Sequence, residues 1–126
     1  MWLGPDDARA NDNLPLQRAA QNGHVDVLKV LASVYRLGPD DARADNNEAL
    51  RWAAQNGYAD VLKVLASVYR LGPDDARADN NEALRWAAQN GYADVLKVLA
   101  SDYRLGPDDA RANKNAVGGG RLTWTT

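Results

Sequence analysis

The chain has 126 residues, 45% of them hydrophobic and 25% charged, and its 15 Lys and Arg against 17 Asp and Glu leave a net charge of −2. That is the composition of one ordinary globular protein, and it excludes the clustered positive charge that nucleic acid or anionic lipid would require. The absence of cysteine excludes disulfides, thiolate chemistry and Cys-type zinc sites.

No apolar run approaches the ~20 residues of a membrane span. Met1-Trp2-Leu3-Gly4-Pro5-Asp6-Asp7 lacks the basic start and apolar centre of a secretory signal. A reducing, cytoplasmic setting is the expectation for a natural chain of this kind.

The same text recurs at a fixed period of 34, from Leu3 to Arg36, Leu37 to Arg70 and Leu71 to Arg104. A partial fourth copy is expected over 105–117 and a loose tail over 118–126. Periods of this size mark repeat arrays, in which no unit buries its apolar surface alone. The first copy departs most. Leu14-Pro15-Leu16-Gln17-Arg18 stands where the others have Glu-Ala-Leu-Arg-Trp, and His24-Val25 where they have Tyr-Ala.

In the second unit, Asp45 to Asn47 precede an apolar stretch and predict N-cap chemistry, with Glu48 at capping-box spacing from Asp45. Ala49 to Gln55 reads as a helix, with Leu50, Ala53 and Ala54 at i, i+3, i+4 and Glu48, Arg51 and Gln55 as a polar stripe. Asn56-Gly57 ends it, since glycine tolerates the left-handed conformation a helix stop uses. A second helix is expected over 59–70. Its polar residues Asp60, Lys63, Ser67 and Arg70 form one seam, and an arc of Val61, Leu62, Val64, Leu65, Val68 and Tyr69 needs more than one neighbour. Gly72 is expected to take a left-handed cap before Pro73, and Pro73 to about Ala78 to form one helical turn, with Asp74 and Asp75 at the positive end of its dipole.

Beyond Leu105 the register persists through Asn115, and Gly118-Gly119-Gly120 then falls where Leu50, Arg51 and Trp52 stood. Each glycine costs ~1 kcal/mol relative to Ala inside a helix, so the fourth copy of the first helix is not expected to form.

The residues Pro15, Leu16, Ala19, Ala20, Gly23, His24, Val27 and Leu31 match the pattern T-P-L-H-x-A-A-x-x-G-H-x-x-V-V-x-x-L-L, so the chain resembles the ankyrin repeat. Later copies keep Leu50, Ala53, Ala54, Gly57, Val61 and Leu65 and their equivalents one period further along. The Thr and His of T-P-L-H are replaced by Leu14 and Gln17 in the first unit and by Glu48 and Arg51 in the second. The family's usual period is 33, with a β-finger. Here a lengthened second helix and a helical turn in place of the finger are expected. The fold class is therefore all-α, a solenoid of stacked helix–turn–helix units. The tetratricopeptide repeat shares the period of 34, but it expects small residues where Val61 and Val68 stand.

Nothing in the chain assembles into a reaction centre. His24 is the only histidine and stands where ankyrin units carry a structural one, which makes a poor metal site or base. Asp40-Asp41, with repeats at 74–75 and 108–109, is explained by the helix dipole better than by calcium or a catalytic pair. The three glycines lack the Lys-Ser/Thr and the preceding strand of a phosphate loop.

The resemblance implies a non-catalytic protein-binding scaffold with a rigid concave surface, no cofactor, no metal, and a protein as partner. The candidate binding residues are Asp45, Asn46, Arg51, Trp52 and Gln55 with their repeats Asp79, Asn80, Arg85, Trp86 and Gln89. Trp52 and Trp86 fit either exposed anchors or an internal ladder, and the arc they share with Ala49 and Ala53 favours the ladder. Asp102 replaces Val34 and Val68. It reads either as a polar cap on a face that would otherwise meet another unit or as an incidental change. The alternative function is self-assembly, the chain being a monomer or an end-to-end homo-oligomer. The near identity of the second and third units fits a consensus-type array and a recent duplication equally.

Overall fold

The computed structural model describes residues 8–111, and every element among them is helical. In order these are α1 (Ala10–Gln21), α2 (Val25–Ser33), α3 (Pro39–Ala42), α4 (Ala44–Gln55), α5 (Ala59–Ser67), α6 (Pro73–Ala76), α7 (Ala78–Asn90), α8 (Ala93–Ser101) and α9 (Pro107–Arg111). The expectations for 112–117, Gly118–Gly120 and the tail lie outside the described residues.

The turn between the paired helices forms as expected, and its hydrogen bonds show why. Gly57 sits at φ 81°, its N–H donates to Ala54 C=O (3.3 Å), and the Tyr58 N–H donates to Ala53 C=O (2.8 Å). That pairing is a Schellman closure, and it recurs at Gly23 and Gly91. The stop after the second helix differs from expectation. α5 ends at Ser67 rather than near Arg70, so it is not lengthened. The left-handed residue is Arg70 (φ 62°), not Gly72, which is extended at φ −125°. The chain turns at Arg70 and the Leu71 N–H reaches back to Leu65 C=O at 3.0 Å. The residues that seemed to extend the helix therefore form a hydrogen-bonded reversal. It returns Tyr69 and Leu71 to the core, where both are buried.

Helices α1, α4 and α7 stack in one row and α2, α5 and α8 in a second, while α3, α6 and α9 bridge successive units. The substantial helix contacts lie within a unit or between neighbouring units, as a solenoid requires. The first row is lined with alanine: Ala49, Ala53, Ala83 and Ala87 are fully buried. Small side chains there let the helices approach closely.

The second row shows what stacking does. Val27 and Val30 of α2 are 44% and 46% exposed, whereas their equivalents Val61 and Val64 of α5 are 0% and 6% exposed beneath the preceding unit. Full burial of a valine is worth ~1.5–3 kcal/mol, so the gain lies in the contact between units. Position 68 does not share it. Val34 and Val68 are 49% and 40% exposed although a further unit follows each. Asp102 therefore occupies a solvent-facing position in every unit, and the reading of it as a cap fails.

Two contacts set how neighbouring units seat. The buried Tyr69 hydroxyl donates to Leu28 C=O of the preceding unit and Tyr103 to Leu62 C=O, each at 2.6 Å. Burial raises both phenols above the ordinary tyrosine value, so they stay protonated donors. The ring of Tyr92 lies over Gly57, where an added Cβ would stand 3.0 Å from it, and Tyr58 lies over Gly23 in the same way. His24 has no such glycine to cover among the described residues. It is exposed and makes no side-chain cap bond, so the structural role expected for it is not seen.

Gly57→Ala should cost clearly more than Gly91→Ala in urea unfolding. Both change a left-handed residue, at ~1–2 kcal/mol, but only the first collides with a neighbouring ring, since nothing lies within 4 Å of the Gly91 position. Tyr103→Phe should cost ~1 kcal/mol by the same measurement through loss of its hydrogen bond.

Candidate functional site

The candidate residues on α4 and α7 gather on a backbone feature that the sequence reading did not anticipate. Asp45, Asn46 and Asn47 have φ of 64°, 56° and 59°, three consecutive left-handed residues, so the right-handed body of α4 starts at Glu48. Asp79, Asn80 and Asn81 repeat it at the head of α7. No side-chain cap forms at either helix, so the predicted capping box is absent. Asp and Asn tolerate this region better than other side-chain-bearing residues, which accounts for their placement.

The turn is tied down by arginine. Arg51 Nε–H donates to Asn46 C=O (2.9 Å) and Nη2–H to Asp45 C=O (3.2 Å), while Nη1 reaches Glu82 Oε1 in the next unit at 2.8 Å. Arg85 repeats the two backbone bonds onto Asn80 and Asp79. A planar guanidinium fork suits this task where a lysine would not. Asp45, Asn46, Asp79 and Asn80 are left exposed at the tips.

Beneath the tips runs a ladder that sequence reasoning missed. Arg9 pairs with Asp41, Arg43 with Asp75 and Arg77 with Asp109, each through Nε at 2.7 Å and each across 32 residues. The Asp75 carboxylate is buried and fully engaged. Oδ1 accepts from Arg43 and from Asn47 Nδ2 (3.1 Å), and Oδ2 accepts from the Gly72 N–H (2.8 Å). Burial pushes the Asp75 carboxyl up, but the hydrogen bonds from Arg43, Gly72 and Asn47 outweigh it and hold the group below the ordinary aspartate value. Asp41 shows the same balance. At Asp109 the Arg77 hydrogen bond is the largest influence and again lowers the value. The helix-dipole explanation of the Asp pairs is thus incomplete. Asp40, Asp74 and Asp108 do face water at the first turn, but their partners bind units together. Each Arg meets an Asp so distant in sequence only because the units stack, so the signal was a spacing near the period and no local pattern.

The tryptophans are neither core nor free anchors. Trp52 and Trp86 are half-buried, so the ladder favoured by the sequence does not form as an internal one. Each indole N–H donates to the glutamate four residues earlier, Glu48 or Glu82, at 2.8 Å. Glu48 serves its tryptophan instead of the expected cap. Gln55 is half-buried and Gln89 exposed. The Gln55 backbone carbonyl accepts from Asn90 Nδ2 at 3.5 Å, and Asn56 Nδ2 reaches Gln21 C=O at 3.1 Å, so this edge too is stitched between units. The surface therefore combines exposed acidic and amide tips with half-buried indoles on an ordered frame.

Among the described residues no cluster of three or more His, Cys, Asp or Glu could hold a metal ion, and no helix is long and apolar enough to cross a membrane. A family model described as ankyrin repeats matches the chain in three copies over residues 16–113. Neither the curated proteins nor the solved structures yield a significant match.

The ladder makes a pH prediction with a definite sign. Because the Asp41, Asp75 and Asp109 values are lowered on folding, their stabilisation is complete above the unfolded-state value of about 3.9 and is withdrawn as pH falls through the folded values. Urea midpoints should be flat from neutral pH to about pH 5 and fall steeply in more acid solution. Asp75→Ala should lose ~2–3 kcal/mol at neutral pH and flatten that acid limb.

Proposed function

Since the chain belongs to the ankyrin-repeat family, whose members are generally protein–protein interaction modules and typically non-catalytic, we propose that it is a rigid scaffold that binds a protein partner through the row of α4 and α7. The observation that carries this reading is the repeated tip: an exposed Asp-Asn pair held in a left-handed turn by Arg51 or Arg85. The contacting residues would be Asp45, Asn46, Asp79 and Asn80 at the tips, the ring edges of Trp52 and Trp86 beside them, and Gln55 and Gln89 further along. Arg51 and Arg85 act mainly by positioning, since their guanidiniums already hold the tip carbonyls. Rigid display lowers the ordering cost of association, because these groups occupy fixed positions before a partner arrives. The tips are acidic and amide-rich, which favours a partner with donors: lysine, arginine or exposed backbone N–H groups. Half-buried indoles beside them supply the kind of anchor that dominates interface energies.

Partners captured with the chain as bait should be purified and their dissociation constants measured by calorimetry. The double variant Asn46→Lys, Asn80→Lys should weaken binding at least about tenfold, or ~1.4 kcal/mol, while the chain stays folded with a somewhat lower melting temperature, because lysine tolerates the left-handed backbone less well than asparagine. Full affinity in that variant would move the contact off these tips.

A further inference from the structure

The joint between units is made from two different faces, and among the described residues each is left open once. On the first unit, Val27 and Val30 are exposed at the positions that α5 and α8 bury as Val61, Val64, Val95 and Val98. On the third unit, a concave apolar cavity of about 470 Å³ is lined by Leu84, Ala88, Leu96, Ala100, Leu105 and Pro107. Their equivalents in the second unit, Leu50, Ala54 and Leu62, are fully buried beneath the third. The valine face and the leucine–alanine face meet twice within this chain, so their complementarity is already displayed in the structure.

We propose that the occupant of the third unit's open face is the first unit of a second copy of this chain, joined head to tail in the geometry of the internal joints. Three details support the register. Leu105 to Arg111 repeats Leu3 to Arg9 letter for letter, so α9 can take the place of the incoming copy's own Leu3 to Arg9, which is displaced, with Arg111 replacing Arg9 on that copy's Asp41. Tyr35, the equivalent of Tyr69 and Tyr103, is only half-buried, and at the new joint its hydroxyl would meet the Leu96 carbonyl. The space over Gly91, filled by a tyrosine ring at Gly23 and Gly57, is open and would receive His24 of the second copy. Two internal contacts are lost, because Leu14 and Asn11 stand where Glu82 and Asp79 answer Arg51, so the joint rests on apolar packing. Such a contact joins unlike faces and does not close on itself, so it propagates. It uses neither the tips nor the tryptophans, and is independent of the scaffold reading.

The test is sedimentation or light scattering of the full chain with two surface variants, Val30→Lys and Ala100→Lys, both at exposed positions. Wild type should rise from 13.7 kDa toward multiples of it as concentration increases from about 1 μM to about 1 mM, the span in which weak self-association is read. Each variant alone should stay at 13.7 kDa with an unchanged melting curve. Their equimolar mixture should stop at a dimer, twice the monomer mass, because one good face survives on each. A wild type that stays at monomer mass throughout overturns the proposal, as does a mixture no heavier than its components. A monomeric wild type whose melting temperature drops with Ala100→Lys would assign the face to residues 112–126 of the same chain, and would overturn it too.

Discussion

Helix α5 cannot be satisfied by its own partner helix, and the rest of the molecule follows from that. Its valines lie on one flank and its leucines on the other, so one unit covers the first and another the second. The valines of α2, which keep the same sequence spacing and among the described residues have no unit in front of them, remain in water. Burial that no single unit can complete makes the units interdependent, and stability in such an array is a sum of neighbour terms.

Apolar contact alone does not fix how two such flanks slide or rotate, and the polar groups do. The tyrosine hydroxyls on the carbonyls of the preceding helix, the tyrosine rings over glycine, and the arginine–aspartate rungs all span neighbouring units. These groups act at three separate places, on the outer helix, at the turn and beneath the tips. A displacement that relieved one would break another. The frame that results holds the Asp-Asn tips and the indoles in place, and this links repetition to recognition.

Much of this was legible in the sequence, and the limits have a pattern. The period, the helix pair, the glycine stop between the paired helices and the proline-led turn were read correctly because each is a local preference repeated three times, whereas the stop expected at Gly72 falls at Arg70. The end of α5 was misplaced because Tyr69 and Leu71 look like helix residues, while the chain turns at Arg70 to put them in the core. The left-handed Asp45-Asn46-Asn47 turn was read as a cap, since the same residue types serve both purposes and only the carbonyls gripped by Arg51 distinguish them. Position 68 was read either as part of an interface or as incidental, and Val68 lies just past the end of α5 at Ser67, in solvent.

Taken alone, the order of residues determined a helical array, its period, its family and the absence of a cysteine-based chemistry. These depend on spacing and on preferences that each residue carries with it. Tertiary structure decided which flank of each helix faces a neighbour, where the chain reverses, and which arginine meets which aspartate almost a full period away. Those outcomes depend on the offset between units, a quantity set by packing in three dimensions and written in no single stretch of the chain.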